Sequence, residues 1–158
     1  MGSPQNPNPR FKSIFAKLLL AAILVLILFV VSYTILNSGP WVVPEAAKQV
    51  KNPLLPSQEN VRAARAVYLD KCAECHGNSG KGDGDRAGMY STRPANLTDA
   101  AHLDTETDGE LFYKISQGHK PMPAFRKRLT DEQRWQLVLL IRFLSHPPDV
   151  TEKASTSR

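Results

Sequence analysis

Between Leu18 and Leu36 the chain carries no charged side chain, and 16 of these 19 positions are apolar. A helix rises about 1.5 Å per residue, so the run nearly crosses the hydrocarbon core of a bilayer. A buried core helix would be amphipathic, and a secretory h-region would be shorter and end in a small-x-small site. Here Asn37, Ser38, Gly39 and Pro40 follow, a poor cleavage site, so residues 18–36 are expected to form an uncleaved transmembrane anchor. Lipid anchoring is not indicated, because no cysteine precedes Cys72 and the sixth residue is Asn6 rather than the Ser/Thr of a myristoylation signal. Arg10, Lys12 and Lys17 precede the run and every acid follows it. The positive-inside rule then keeps residues 1–17 in the cytoplasm and exports the rest, which in a bacterium is the periplasmic side of the inner membrane.

The chain is 158 residues long, with 20 Lys plus Arg against 15 Asp plus Glu, and from Asn37 onward its net charge is only +2. A region so near neutrality, with no basic stripe interleaved with aromatics, has no electrostatic footprint for nucleic acid. Residues 37–56 hold Pro40, Pro44, Pro53 and Pro56 and are expected to form a stiff, extended linker, the alternative being that part of it packs on the domain surface, with Trp41 at the membrane interface. At the other end Pro147-Pro148 stops the last helix, and residues 147–158 are polar and expected to be disordered. That leaves residues 57–146 as one working domain.

Within it the apolar spacing predicts three helices and no strand. The first runs over about Gln58–Ala73 with Val61, Ala64, Val67, Tyr68 and Leu69. The second starts at Thr107, paired with Glu110 in a capping box, carries Leu111, Phe112 and Ile115, and stops at Gly118. The third starts at Thr130, paired with Gln133, and presents Trp135, Val138, Leu139, Ile141 and Phe143. Three short helices and two long loops bury little apolar area, so something other than side chains is expected to fill the centre.

Both cysteines lie in Cys72-Ala73-Glu74-Cys75-His76. C-x-x-C-H is the haem-attachment signature of c-type cytochromes, in which each thiol adds to one porphyrin vinyl group and the histidine reaches iron. The alternatives lack support: a thioredoxin-like disulfide sits on a βαβ pattern, and a structural zinc site needs a second Cys/His pair at ligand spacing. A disulfide closing so short a loop would stabilise little. For the second axial ligand the candidates are Met89, His102, His119 and Met122. Met122 is favoured, because Pro121 and Pro123 fix the φ angles on both sides of it and so stiffen the loop that presents its thioether.

Helix, C-x-x-C-H, a loop with Pro94-Ala95-Asn96-Leu97, a helix ending in Gly, a Met-Pro loop and a C-terminal helix with Trp together resemble a class I c-type cytochrome, over about 90 residues. The resemblance implies an all-α small cytochrome c fold wrapped round one covalent haem c, here behind a transmembrane helix. It implies that Tyr68 packs in the helix crossing, that the Pro94 carbonyl accepts the Nδ1 proton of His76, that Leu97 packs on the haem, and that His76 and Met122 ligate iron. The sequence departs from the family at Ala64, where Gly is common, and at Leu140, where Tyr is common; both keep apolar contact. The implied function is single-electron transfer rather than enzymatic turnover. The implied partners are redox proteins, a quinol-oxidising complex as donor and a terminal oxidase or reductase as acceptor, with no small-molecule substrate. The alternatives are a cytochrome subunit of a larger membrane oxidoreductase, or a haem-based gas sensor.

Two features have weaker readings. Asp83-Gly84-Asp85 hints at a calcium loop but lacks the Glu at the twelfth position, which leaves a plain turn. Residues 99–110 carry five acids and no Lys or Arg, whereas Lys114, Lys120, Arg126, Lys127 and Arg128 form a basic set free of acids. Either run is ordinarily a solvated face; the sharper expectation is a basic rim near Met122 that steers an acidic redox partner. Arg93 is a further candidate, for a haem propionate.

Overall fold

A computed structural model of the chain describes residues 9–37 and 41–147. Residues 1–8, part of the expected linker (38–40) and most of the expected tail (148–158) lie outside the described residues. The chain divides into two compact units, Met1–Val42 and Val43–Arg158. Among the described residues the first holds one helix, α1 (Pro9–Asn37), within which Ser13–Ile35 has a mean hydropathy of 3.1 and is long and apolar enough to cross a membrane. It starts before the uncharged run because no helix breaker separates Arg10 from Leu18.

In the second unit the caps set the helices. Ser57 accepts from the Asn60 N–H at 3.1 Å and opens α3 (Gln58–Lys71). After the short helices α4 (Ala73–His76) and α5 (Ala100–Leu103), reciprocal capping boxes open the last two helices. Thr107 with Glu110 opens α6 (Asp108–Gln117), and Thr130 with Gln133 opens α7 (Asp131–Ser145). Gly118, at φ 64°, ends α6 as the sequence predicted, and the described residues contain no strand.

The core is built where α3 crosses α7. Ala64 and Val138 are fully removed from solvent, Tyr68 is 1 % exposed, and α7 is buried from Arg134 through Ile141. Ala64, standing where a glycine was the family expectation, is therefore still small enough for close approach. Leu140 is buried as an apolar residue should be, whereas Phe143, expected to face inward, is 38 % exposed. On the other side of α7 the Phe112 ring of α6 stacks on Trp135, centroids 4.0 Å apart, and the Arg134 guanidinium lies over Phe112 at 4.6 Å. Arg134 is buried but satisfied, by the Ser116 hydroxyl, the Asp131 carboxylate and the Thr130 carbonyl.

The expected linker does not stand off the domain along its whole length. Its second half belongs to the folded unit: α2 (Glu45–Lys48) packs on α6, Asn52 donates to the Trp135 carbonyl at 3.1 Å, and Leu54 joins the core. The prolines keep this segment extended, and an extended segment with a few apolar residues gains more by lying in a groove than by standing in water. Gly109 makes the groove, since a Cβ there would meet the carbonyls of Ala47 and Val50. We expect Gly109→Val to lift this strap, with a cost of about 1–3 kcal/mol in urea unfolding. Proteolysis after Lys48 and Lys51 should quicken in the same variant.

Candidate functional site

Helix α3 leads directly into the cysteine motif. Cys72 is at once the last cap of α3 and the first of α4, with φ −119° and ψ −36°; the Cys75 and His76 N–H groups both donate to its carbonyl, at 3.1 and 2.9 Å. The break at Cys72 divides the single helix expected over 58–73 from α4 and leaves two free, half-buried thiols about one helical turn apart. Burial pushes the Cys72 thiol up to about 12, so the sulfur is held as the neutral thiol and not as a metal-binding thiolate. No group of three or more His, Cys, Asp or Glu side chains placed to hold a metal ion occurs among the described residues.

Because α4 is so short, almost all its carbonyls lack an intrahelical partner, and the following loop supplies donors in turn. The Glu74 carbonyl accepts from Arg86 N–H at 2.9 Å, that of Cys75 from Gly84 at 3.2 Å, and that of His76 from Gly82 at 2.8 Å. The buried Tyr68 hydroxyl completes the series by donating to the Gly77 carbonyl at 2.6 Å, and burial pushes that phenol up to about 12. Gly77, Gly80 and Gly82 all take positive φ, which this tight return of the chain requires, and Gly84 passes so close to the Ala73 and Glu74 carbonyls that no Cβ fits. Asp83-Gly84-Asp85 belongs to this clasp and leads into a turn in which the Ala87 N–H donates to the Gly84 carbonyl at 2.8 Å.

The imidazole of His76 is fixed from the other side. Its Nδ1 lies 3.1 Å from the Ala95 carbonyl, which can only accept, so Nδ1 carries the proton and Nε2 keeps its lone pair. Burial lowers the His76 pKa, against a smaller upward effect of that same bond, and holds the ring neutral. The expectation that the Pro94 carbonyl fills this role is corrected by one residue. Successive carbonyls of an extended chain point opposite ways, and that of Pro94 faces Gly82, where a Cβ would sit 2.5 Å from it. Leu97 is buried and donates its N–H to the Gly80 carbonyl at 2.6 Å, tying the 94–97 segment back to the clasp.

Met122 is half-buried against the same apolar cluster that takes in Cys72 and Leu97. Its loop leaves α6 at Gly118, whose missing Cβ admits the Met122–Ala124 backbone; His119 and Met122 then exchange two backbone bonds of 3.0 and 2.8 Å around a cis Lys120-Pro121 peptide. Phe125 and Arg126 donate to the Ile115 and Ser116 carbonyls and return the loop to α6. The rival candidates are placed otherwise: Met89 is 67 % exposed, His102 is exposed beside Glu106, and His119 serves the Met122 turn through its backbone. Arg93 is exposed. In the basic set, Lys114 pairs with Glu106 at 2.5 Å and so belongs to the acidic side, leaving Lys120 and Arg126 to Arg128 exposed in the Met122 loop. The Tyr68 hydroxyl bond and the acceptor role of Ala95 escaped sequence reading; the run of glycines from 77 to 84 was their only trace, because it marks a backbone folded back on the motif.

Comparison with known proteins gives three likenesses. A family model described as cytochrome c oxidase, cbb3-type, subunit III matches residues 59–141. The cbb3-type cytochrome c oxidase subunit FixP of Rhizobium meliloti (strain 1021) is 30 % identical over 113 residues, which cover 67 % of this chain and 37 % of that one. A solved chain of the Kuenenia stuttgartiensis reducing HAO-like protein complex superposes with a TM-score of 0.51 at 27 % identity, over 58 % of this chain and 46 % of its own. The chain thus spans less than half the length of either relative.

Substituting Gly82 tests the coupling of clasp and imidazole. Gly82→Ala sets a Cβ against the Pro94 carbonyl at a position with φ 74°, and should displace the 94–95 segment and weaken the Ala95 bond to His76. The expected loss is about 1–3 kcal/mol of stability, read by urea unfolding, together with a shift of the His76 ring signals in NMR.

Proposed function

Since the chain belongs to the cytochrome c oxidase, cbb3-type, subunit III family, and is therefore an electron-carrying c-type cytochrome, we propose that Cys72 and Cys75 bind one haem c covalently, with His76 and Met122 as its axial ligands. The observation that carries the proposal is the state of His76: a neutral ring, its proton committed to Ala95 through Nδ1, and its Nε2 lone pair left for iron. The residues fit the group in other ways. The two cysteines are free, at the cap and within one short helix, as thioether formation needs, and Met122 offers a soft neutral donor in a braced loop. Bound haem c supplies a one-electron iron couple.

The chain's own residues then do the tuning. Ala95 fixes the imidazole tautomer and ring orientation, Leu97 shields the site with apolar contact, and a thioether ligand favours the reduced state and so raises the potential. With His76 and Met122 both engaged, the bound group would keep no position for substrate, which fits a carrier rather than a catalyst. Helix α1 anchors this carrier with residues 1–17 in the cytoplasm and the haem domain, residues 57–146 and the strap before them, on the periplasmic side of the inner membrane. Its partners are redox proteins, a quinol-oxidising complex as donor and a terminal oxidase or reductase as acceptor. A second reading, a fixed subunit of a larger membrane oxidoreductase, is favoured by the relatives, one named as an oxidase subunit and one as part of a complex. Native-gel mass after mild solubilisation separates the two.

The ligand assignment is tested by spectra of the haem-loaded chain beside its Met122→Ala form. A low-spin ferric spectrum with a far-red thioether-to-iron band is expected, and the band should vanish in the variant while the haem stays attached. A bis-histidine or high-spin spectrum indifferent to the change would overturn Met122.

A further inference from the structure

The strap and the Met122 loop meet on one side of the domain. Ala47 and Val50 of the strap line a surface cleft together with Gly109, Tyr113, Gln117 and Arg126. Arg126 opens an exposed basic turn, Arg126-Lys127-Arg128, and Lys120 lies on the same loop. The strap therefore lies beside Arg126, one of four exposed cations of the Met122 loop. Asp131, which lines the same cleft, pairs with Arg134, and Glu45 of the strap pairs with Lys48. The strap also exposes apolar surface beside this cleft, Val50 at 47 %. Because the strap is part of the folded unit, only residues 38–42 separate Asn37, the end of α1, from Val43. Bond lengths limit such a stretch to about 20 Å.

We infer that the face bearing Lys120, Arg126, Lys127 and Arg128 is a docking surface for anionic phospholipid headgroups of the membrane that anchors the chain. Cations beside exposed apolar residues, delivered by a short leash to a bilayer surface, are the composition of an interfacial contact. Each such cation strengthens attachment to an anionic leaflet about fivefold, and the attraction dies within a Debye length, so it serves only a face held close to the membrane. The inference rests on the proposed membrane anchoring by α1.

The haem-loaded full chain is reconstituted in vesicles of phosphatidylcholine alone and in vesicles with about one third phosphatidylglycerol, then pulsed with a water-soluble acetylating reagent. Modification of Lys120 and Lys127 is read by mass spectrometry against Lys81, which is exposed in the glycine clasp. Anionic vesicles should slow both lysines about fivefold relative to Lys81, about 1 M salt should abolish the difference, and the double variant Arg126→Gln, Arg128→Gln should largely lose it. An unchanged ratio in the two lipids would overturn the inference and leave the basic turn to an acidic protein surface. If instead the chain is stripped from the vesicles by alkaline extraction, the anchoring itself fails, and the inference with it.

Discussion

The contact between α3 and α7 is the one on which the remaining geometry hangs. Ala64 and Val138 meet there with no solvent exposure, and a methyl group at position 64 lets the helices approach nearly as closely as glycine would. One turn beyond Ala64, Tyr68 reaches Gly77 and so sets where the cysteine motif begins to fold back. In the other direction α7 carries Trp135, Trp135 carries the Phe112 ring, and α6 ends at the glycine that admits the Met122 loop. A shift of the crossing would move the two halves of the site together with the helices that hold them.

Around the motif itself, hydrogen bonds replace apolar packing. Residues 77–96 contribute few core side chains, and what holds them is the sequence of backbone donors meeting the carbonyls of Glu74 to His76, and the bond from Leu97 to Gly80. Such a frame is directional where a hydrophobic contact is not, and direction is what the proposed role of the His76 imidazole requires. It also explains why a small domain tolerates two long loops: both are tied to helices at several points.

Charge is distributed with the same economy of contact. The acidic stretch 99–110 is stitched to the core by Arg142, which bonds the Asp108 carboxylate and the Leu103 and Glu106 carbonyls, and by Lys114 on Glu106. The cations of the Met122 loop stay exposed. The two stretches, alike as charge runs in the sequence, thus take different parts, one as internal cross-links and one as surface.

Much of this architecture was legible from the chain alone. The uncharged run, the capping pairs Thr107/Glu110 and Thr130/Gln133, the stop at Gly118 and the C-x-x-C-H spacing are local signals, each decided by residues within a few positions of one another. What tertiary structure decided are matters of long-range direction. Whether Pro94 or Ala95 turns its carbonyl to His76 depends on how an extended segment rotates against Gly82, twelve residues away in sequence from the carbonyl it makes room for. Whether residues 43–56 stand free or lie on α6 depends on the absence of one side chain at Gly109. Periodicity and composition describe which residues seek burial; only the assembled backbone determines which polar atom meets which, because hydrogen bonds are settled by angles that no local pattern encodes.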